Sequence, residues 1–243
     1  MTFRFARVAA REILDSRGRP TLAVRVRVGD RAAGVATVPS GASTGKREAV
    51  ERRDGDPARY GGAGVLGAVA AVGGEIAELL CGRRWSSLAE VDAALVALDG
   101  TPTLSRLGAN AVVGVSMAAT RAVAALQETD LCHWLAAGTP LRLPVPHFNV
   151  INGGAHAPNA LEFQQFMIAP LGAPSMAEAV RAGAEVYAAL RARLRGEGRS
   201  TGLGDEGGFA PEVDSPEQAC GLLEIAEQNP GVPYGLPAGT AGR

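Results

Sequence analysis

Cysteine is scarce in this chain: Cys81, Cys132 and Cys220 are the only three in 243 residues, far apart and without a CxxC pair. That spacing argues against a disulfide framework and a thiolate zinc site, and predicts a reducing compartment. Charge of one sign is missing too. Lys+Arg 24 against Asp+Glu 25 leaves a formal net charge of -1, so no bulk field is available to hold nucleic acid or an anionic membrane. Any anion must be bound locally. The N-terminus carries Arg4, Arg7, Arg11 and Glu12 instead of the apolar run of a secretory signal. A spanning helix needs about 18 apolar residues without charge, and no such stretch occurs. The nearest approach, residues 61–81, is rich in Ala and Gly but contains Glu75 and Glu78, and reads as a buried core helix. Internal repeats and low-complexity tracts are lacking as well. With 47% hydrophobic and 20% charged residues, disorder and coiled coil are poor readings and a packed core is expected. A mass of 24.9 kDa accommodates one large domain or two smaller ones.

The patterns along the chain divide it. Residues 21–28 alternate, with Val24, Val26 and Val28 on one face and Ala23, Arg25 and Arg27 on the other, which predicts a half-buried strand. Gly29-Asp30 follows and residues 35–38 resume the extended pattern, predicting a hairpin that feeds a loop at Pro39. From Gly61 onward the pattern is helical. Ser87 with Glu90 forms a capping box ahead of Val91, Leu95 and Leu98, and a third helix is expected over residues 109–135. Sheet first and helices afterwards describes an α+β domain over residues 1–136. Gly138, Pro140, Pro144 and Pro146 form a breaker cluster at the boundary with a second unit, 137–243. There, residues 147–151 and 163–168 read as short strands, Ser175 with Glu178 caps a helix running to Leu194, and Ser215-Pro216 opens another. Strands alternating with helices predict β/α units with reactive groups on the loops after strands.

Three glycine-framed polar loops stand out. Residues 40–46, SGASTGK, offer backbone N–H groups and hydroxyls to an anion or a hard cation, but lack the spacing of a P-loop. Residues 152–156, NGGAH, let backbone approach a ligand beside the His156 imidazole. Residues 204–208, GDEGG, place a carboxylate where burial can tune it for proton transfer. Taken singly, each has a plainer reading: a flexible surface loop, a structural histidine, a solvated turn. Their recurrence after strands favours a site for a small anionic ligand.

Six segments, in order, carry a family resemblance: LDSRGRPT at 14–21, SGASTG at 40–45 with RRDGD at 52–56, LGANAVVGVS at 107–116, VPHFNVINGGAH at 145–156, QFMIAP at 165–170 and GDEGGFAP at 204–211. Together they resemble enolase. The resemblance implies an α+β capping domain followed by an incomplete β/α, TIM-like barrel of the enolase type. It implies a cytoplasmic homodimer, or pairing with an enolase-like chain, and Mg²⁺-dependent dehydration of 2-phosphoglycerate, a phosphorylated three-carbon acid, to phosphoenolpyruvate. By resemblance, Ser43 would ligate the second Mg²⁺ and Ala42 would lie beside the substrate. His156 and Gln164 would contact the substrate, and Glu206 would protonate the departing hydroxide.

Two departures qualify these expectations. Where the family has Gln-Glu-Phe-Met-Ile, this chain reads Gln164-Gln165-Phe166-Met167-Ile168, so Gln165 at the substrate is an amide that cannot deliver a proton. A positioned acid or base contributes about 10² to 10⁴ in rate, so ordinary hydratase activity is expected to be impaired. Glu162, three residues upstream, would face the other way on a strand. The family's three-carboxylate Mg²⁺ set and catalytic lysine lie on later strands, and Pro237 stands near where the first ligand is expected, so the chain reads as truncated. Three readings follow: an impaired enolase-family chain, a specialised relative such as the enolase-like synthases of phosphonate metabolism, and a non-catalytic module that meets a partner through the sheet face at Arg25 and Arg27.

Overall fold

The computed structural model describes residues 2–30, 32–41 and 44–227 and divides the chain into two compact units, the first ending at Leu141 and the second starting at Arg142. The first opens with an antiparallel sheet of β1 (Phe5–Leu14), β2 (Pro20–Val28) and β3 (Ala32–Thr37), in that spatial order. Alternation in β2 puts Val24, Val26 and Val28 into the core and leaves Arg25 and Arg27 exposed. Strand β1 is an element that the sequence pattern did not reveal. A register shift between Phe5 and Arg7 interrupts its alternation.

Five helical elements, the first a 3-10 turn at Tyr60–Gly62, follow β3 before the longest helix of the unit. The stretch 61–81 is not one helix: α1 (Leu66–Ala71) and α2 (Ala77–Leu80) flank a wider π-type turn, Val72–Ile76. Within that turn Gly74 leaves helical geometry at φ -99° and ψ -108°. Next, α3 (Leu88–Asp99) is capped by Ser87, whose hydroxyl accepts from the Glu90 N–H at 3.2 Å. The Glu90 carboxylate accepts from Ser86 N–H and hydroxyl, one residue earlier than a standard capping box requires.

Helix α4 (Ala109–Leu126) lies across β2 and β3 and buries Ala111, Val115, Ala118, Ala119 and Ala122. Small residues allow this close approach. A Cβ added at Gly34 of β3 would stand 2.1 Å from the Ala118 carbonyl oxygen, so only glycine fits there. Among the described residues α4 is the one helix long and apolar enough to cross a membrane by length and composition. It carries Arg121, and its small residues are spent on the sheet. The expected helix over 109–135 divides instead, because Glu128 turns left-handed at φ 50° before α5 (Leu131–Ala136) begins.

In the second unit, β4 (Phe148–Asn152) and β5 (Gln165–Ile168) pair antiparallel, with Ile151 opposite Phe166 and Asn152 opposite Gln165. Twelve residues separate them, at the short limit for the helical crossover that a parallel pair requires, and the helical structure they hold is a single 3-10 turn, Gly154–His156. Parallel contact comes later, where Phe209 bridges to Ile151. Helix α6 (Met176–Gly196) is capped by Ser175, which accepts from Glu178 N–H, and α7 (Pro216–Glu227) has Ser215 accepting from Gln218 N–H. Val186, Leu190 and Leu194 of α6 join Val150, Ile151, Phe166 and Phe209 in one core. Glu162 precedes β5 in a bend, so the odd-offset rule for strands does not apply to it.

Candidate functional site

Asn152, the last residue of β4 and fully buried, organises the second unit's loops. Its N–H donates to the Phe209 carbonyl at 2.9 Å, and Phe209 N–H donates to the Val150 carbonyl at 2.9 Å. Its side-chain Oδ1 accepts from Gly208 N–H at 2.9 Å while Nδ2 donates to the Gln164 carbonyl at 3.3 Å. Its own carbonyl accepts from Asn159 Nδ2 at 2.9 Å, and the same amide reaches the Pro211 carbonyl at 3.1 Å. A single buried amide therefore fixes the segments around Gly153, Gln164 and Gly208 against one another.

His156 and the acidic loop are joined through their backbones. Asp205 N–H donates to the His156 carbonyl at 3.0 Å. A Cβ at Gly204 would lie 2.6 Å from that same carbonyl oxygen and 2.7 Å from Asn152 Cβ, which explains the glycine before the acidic pair. Beyond it, Tyr187 of α6 donates its hydroxyl to the Gly207 carbonyl at 3.0 Å and stacks on Phe209, with ring centroids 4.3 Å apart.

These supports bring three sequence-predicted residues together. Glu206 Oε2 accepts a hydrogen bond from Gln165 Nε2, and Glu206 Oε1 lies 3.8 Å from His156 Nε2. The imidazole is buried, with 4% of its side chain exposed against 35% for Glu206. A separation of 3.8 Å is too long for a direct hydrogen bond and leaves the two groups to be bridged by a ligand oxygen or water. His156 Nδ1 is buried without a partner among the described residues, a polar atom awaiting one. Gln164 contributes its backbone carbonyl, which accepts from Gly153 N–H at 3.1 Å, while its side chain is exposed. Asn152, Asn159 and Tyr187 were not among the sequence candidates. The Asn preceding Gly153-Gly154 was the available signal for the first of them.

The 40–46 loop belongs to the first unit, and Ala42, Ser43 and the segment around Pro237 lie outside the described residues. The base of the loop is held by charge. Arg17 donates to the Ser40 carbonyl at 2.7 Å, and Arg53 bridges the Ser40 hydroxyl at 2.9 Å and the Glu51 carboxylate at 2.6 Å. A cleft of about 490 Å³ opens there, with Arg19, Thr44, Lys46 and Glu48 in its walls.

Magnesium demands a near-octahedral set of oxygen ligands. Among the described residues no group of three or more His, Cys, Asp or Glu side chains comes together. These residues therefore do not supply the metal set that the resemblance implies, and no chemical step is routed through the ion.

Comparison with known families agrees with this architecture. Residues 5–135 match the family described as "Enolase, N-terminal domain", and residues 140–234 match "Enolase, C-terminal TIM barrel domain". The fold is a capping α+β domain followed by part of an enolase-type barrel. This chain belongs to the enolase family.

Proposed function

We propose that the end of β4 and the 204–208 loop form an enolase-type site for a phosphorylated three-carbon acid, with Glu206 as the proton-handling group and His156 as a ligand contact. The observation that carries this reading is the convergence of Glu206 with two partners from separate segments, His156 at 3.8 Å and the hydrogen-bonded Gln165. A ligand hydroxyl in that gap would lie within reach of a carboxyl group able to give or take a proton.

Gln165 shapes what the site can do. Its amide donates to Glu206 but has no acidic proton to transfer, so ordinary dehydration of 2-phosphoglycerate should run about 10² to 10⁴ slower than a two-carboxylate site allows. The same amide favours a second reading, a specialised reaction on a phosphoenolpyruvate-like molecule that needs hydrogen bonding at this position and only one proton carrier.

The test is a titration of the ¹⁵N-labelled chain with 2-phosphoglycerate and with phosphoenolpyruvate. Saturable shifts at the amides of residues 152–156 and 204–208 are expected, abolished by His156→Ala and weakened at least tenfold by Glu206→Gln. Unmoved amides at millimolar ligand would overturn the site. Selective binding of phosphoenolpyruvate would favour the specialised reading, and Mg²⁺-dependent dehydration at full enolase rates would refute the impairment.

A further inference from the structure

Glu206 is the one residue of the 204–208 loop whose backbone makes no hydrogen bond among the described residues. Its neighbours are all tied. Gly204 N–H donates to the Gly208 carbonyl at 2.8 Å, Gly207 N–H to the Gly204 carbonyl at 3.2 Å, Asp205 N–H to the His156 carbonyl at 3.0 Å and Gly208 N–H to Asn152 Oδ1 at 2.9 Å. Where the Glu206 side chain points therefore depends on how firmly Asp205 and Gly207 are held. On the Gly207 side the hold is thin. Gly207 sits at φ 82°, and a Cβ added there would meet nothing within 4 Å, so no packing confines a residue whose dihedral freedom is already wide. Among the described residues its carbonyl accepts from one group, the Tyr187 hydroxyl at 3.0 Å.

Tyr187 is itself well fixed. Val186 and Leu190, its neighbours on α6, are fully buried, and its ring lies on the buried Phe209 ring at an interplanar angle of 14°. One helical turn further on, the Arg191 guanidinium stands 5.7 Å from the Tyr187 ring centroid. Ring and hydroxyl have separate roles: a phenylalanine ring would stack equally well on Phe209, whereas the hydroxyl alone reaches the loop. We infer that Tyr187 is a positioning residue for Glu206: by holding the Gly207 carbonyl, its hydroxyl keeps the Glu206 carboxylate in its hydrogen bond with Gln165 Nε2 and beside His156 Nε2. A group that moves protons has to be held within about 0.5 Å by supports whose own rotamers are locked, and a stacked tyrosine on a 21-residue helix meets that requirement. The inference rests on the reading of Glu206 as the proton-handling group and extends that site to α6.

The test follows the Gln165 side-chain amide of the full ¹⁵N-labelled chain, a reporter that needs no ligand. Across the carboxylate range, about pH 6 to pH 3, protonation of Glu206 should move the Gln165 Nε2 signals, and Glu206→Gln should abolish that response. Tyr187→Phe, which keeps the ring on Phe209, should reduce the response by about half or more while thermal unfolding stays unchanged, a pH profile that a purely packing role would not alter. Titration with phosphoenolpyruvate adds a double-mutant cycle. Tyr187→Phe should weaken binding about threefold or more in the natural chain and less than about twofold in the Glu206→Gln background, because a residue acting through Glu206 has nothing left to position there. An unchanged Gln165 response in Tyr187→Phe, or equal fold losses in the two backgrounds, would overturn the inference. A chain that binds no phosphoenolpyruvate while its Gln165 response still depends on Tyr187 would sink the ligand reading and leave the positioning role standing.

Discussion

At the scale of single residues, the chemistry of the second unit depends on amides as much as on the acid they surround. Replacing Asn152 with Ala removes the acceptor of Gly208 N–H and the donor to Gln164 in a fully buried position. Leaving such groups unpaired costs about 1–3 kcal/mol each way it is measured, and urea unfolding of Asn152→Ala should show a loss in that range. Gln165→Glu makes a different prediction. Two carboxylates would then share the place where an amide now donates to Glu206, and like charges cannot both ionise easily there. The pair should titrate in two steps, the upper one above the ordinary Glu value of about 4.3, as read by carboxyl ¹³C shifts against pH. A single step near the ordinary value would mean that the two side chains do not meet. His156 and Glu206 were legible because their residue types carry chemistry and their loops are framed by glycine. Asn152 was hidden by being a common polar residue whose importance lies in what it touches.

Among elements, helix starts were legible and helix interruptions were not. Ser87, Ser175 and Ser215 each accept from an N–H three residues on, because the orphan donors of a first turn have few other partners. The break after α4 was illegible because Glu128 adopts the left-handed turn that glycine usually signals. The antiparallel β4–β5 pairing was not legible, because a twelve-residue connection can just hold a crossover and β/α alternation pointed to parallel neighbours. Packing of α4 on β3 leaves a sharp test. Gly34→Ala places a methyl group against the Ala118 carbonyl and should destabilise by about 1–3 kcal/mol through forced separation of helix and strand. Unchanged thermal unfolding would refute the close contact.

For the molecule as a whole, acid sensitivity should reside largely in the first unit, with Glu217 at the start of α7 the carboxyl of the second unit also held below its usual range by hydrogen bonding. The Glu12 carboxyl is held below its usual range chiefly by donation from Arg59, with Val65 N–H adding to it against burial. Burial opposes the charge on Asp99, yet hydrogen bonds from Thr101 and Leu107 outweigh it and lower its pKa as well. Depressed carboxylates stabilise the fold above their unfolded pKa values and lose that contribution as pH falls through the folded ones. Denaturant unfolding should therefore be flat near neutrality and decline from about pH 4 downward. Asp99→Asn should make the decline shallower, and a chain equally stable at pH 5 and pH 3 would contradict the assignment. The architecture at this scale was the most legible of all, since six ordered segments outweigh any local misreading. What they could not convey was how the loops are tied, which depends on contacts between distant positions.

The tie itself has a consequence for how the protein ages. Asn152 precedes Gly153, the pairing most open to spontaneous deamidation, which needs the Gly153 nitrogen to attack the Asn152 side-chain carbon. In the folded chain that nitrogen donates to the Gln164 carbonyl at 3.1 Å, and the amide is held at both ends. Folding should thus slow the reaction, while each excursion to the unfolded state exposes it. Once converted, a carboxylate oxygen would stand where Nδ2 now donates to Gln164, acceptor against acceptor. Intact-mass and peptide analysis after prolonged incubation should find the one-dalton gain at Asn152 concentrated in molecules that no longer refold.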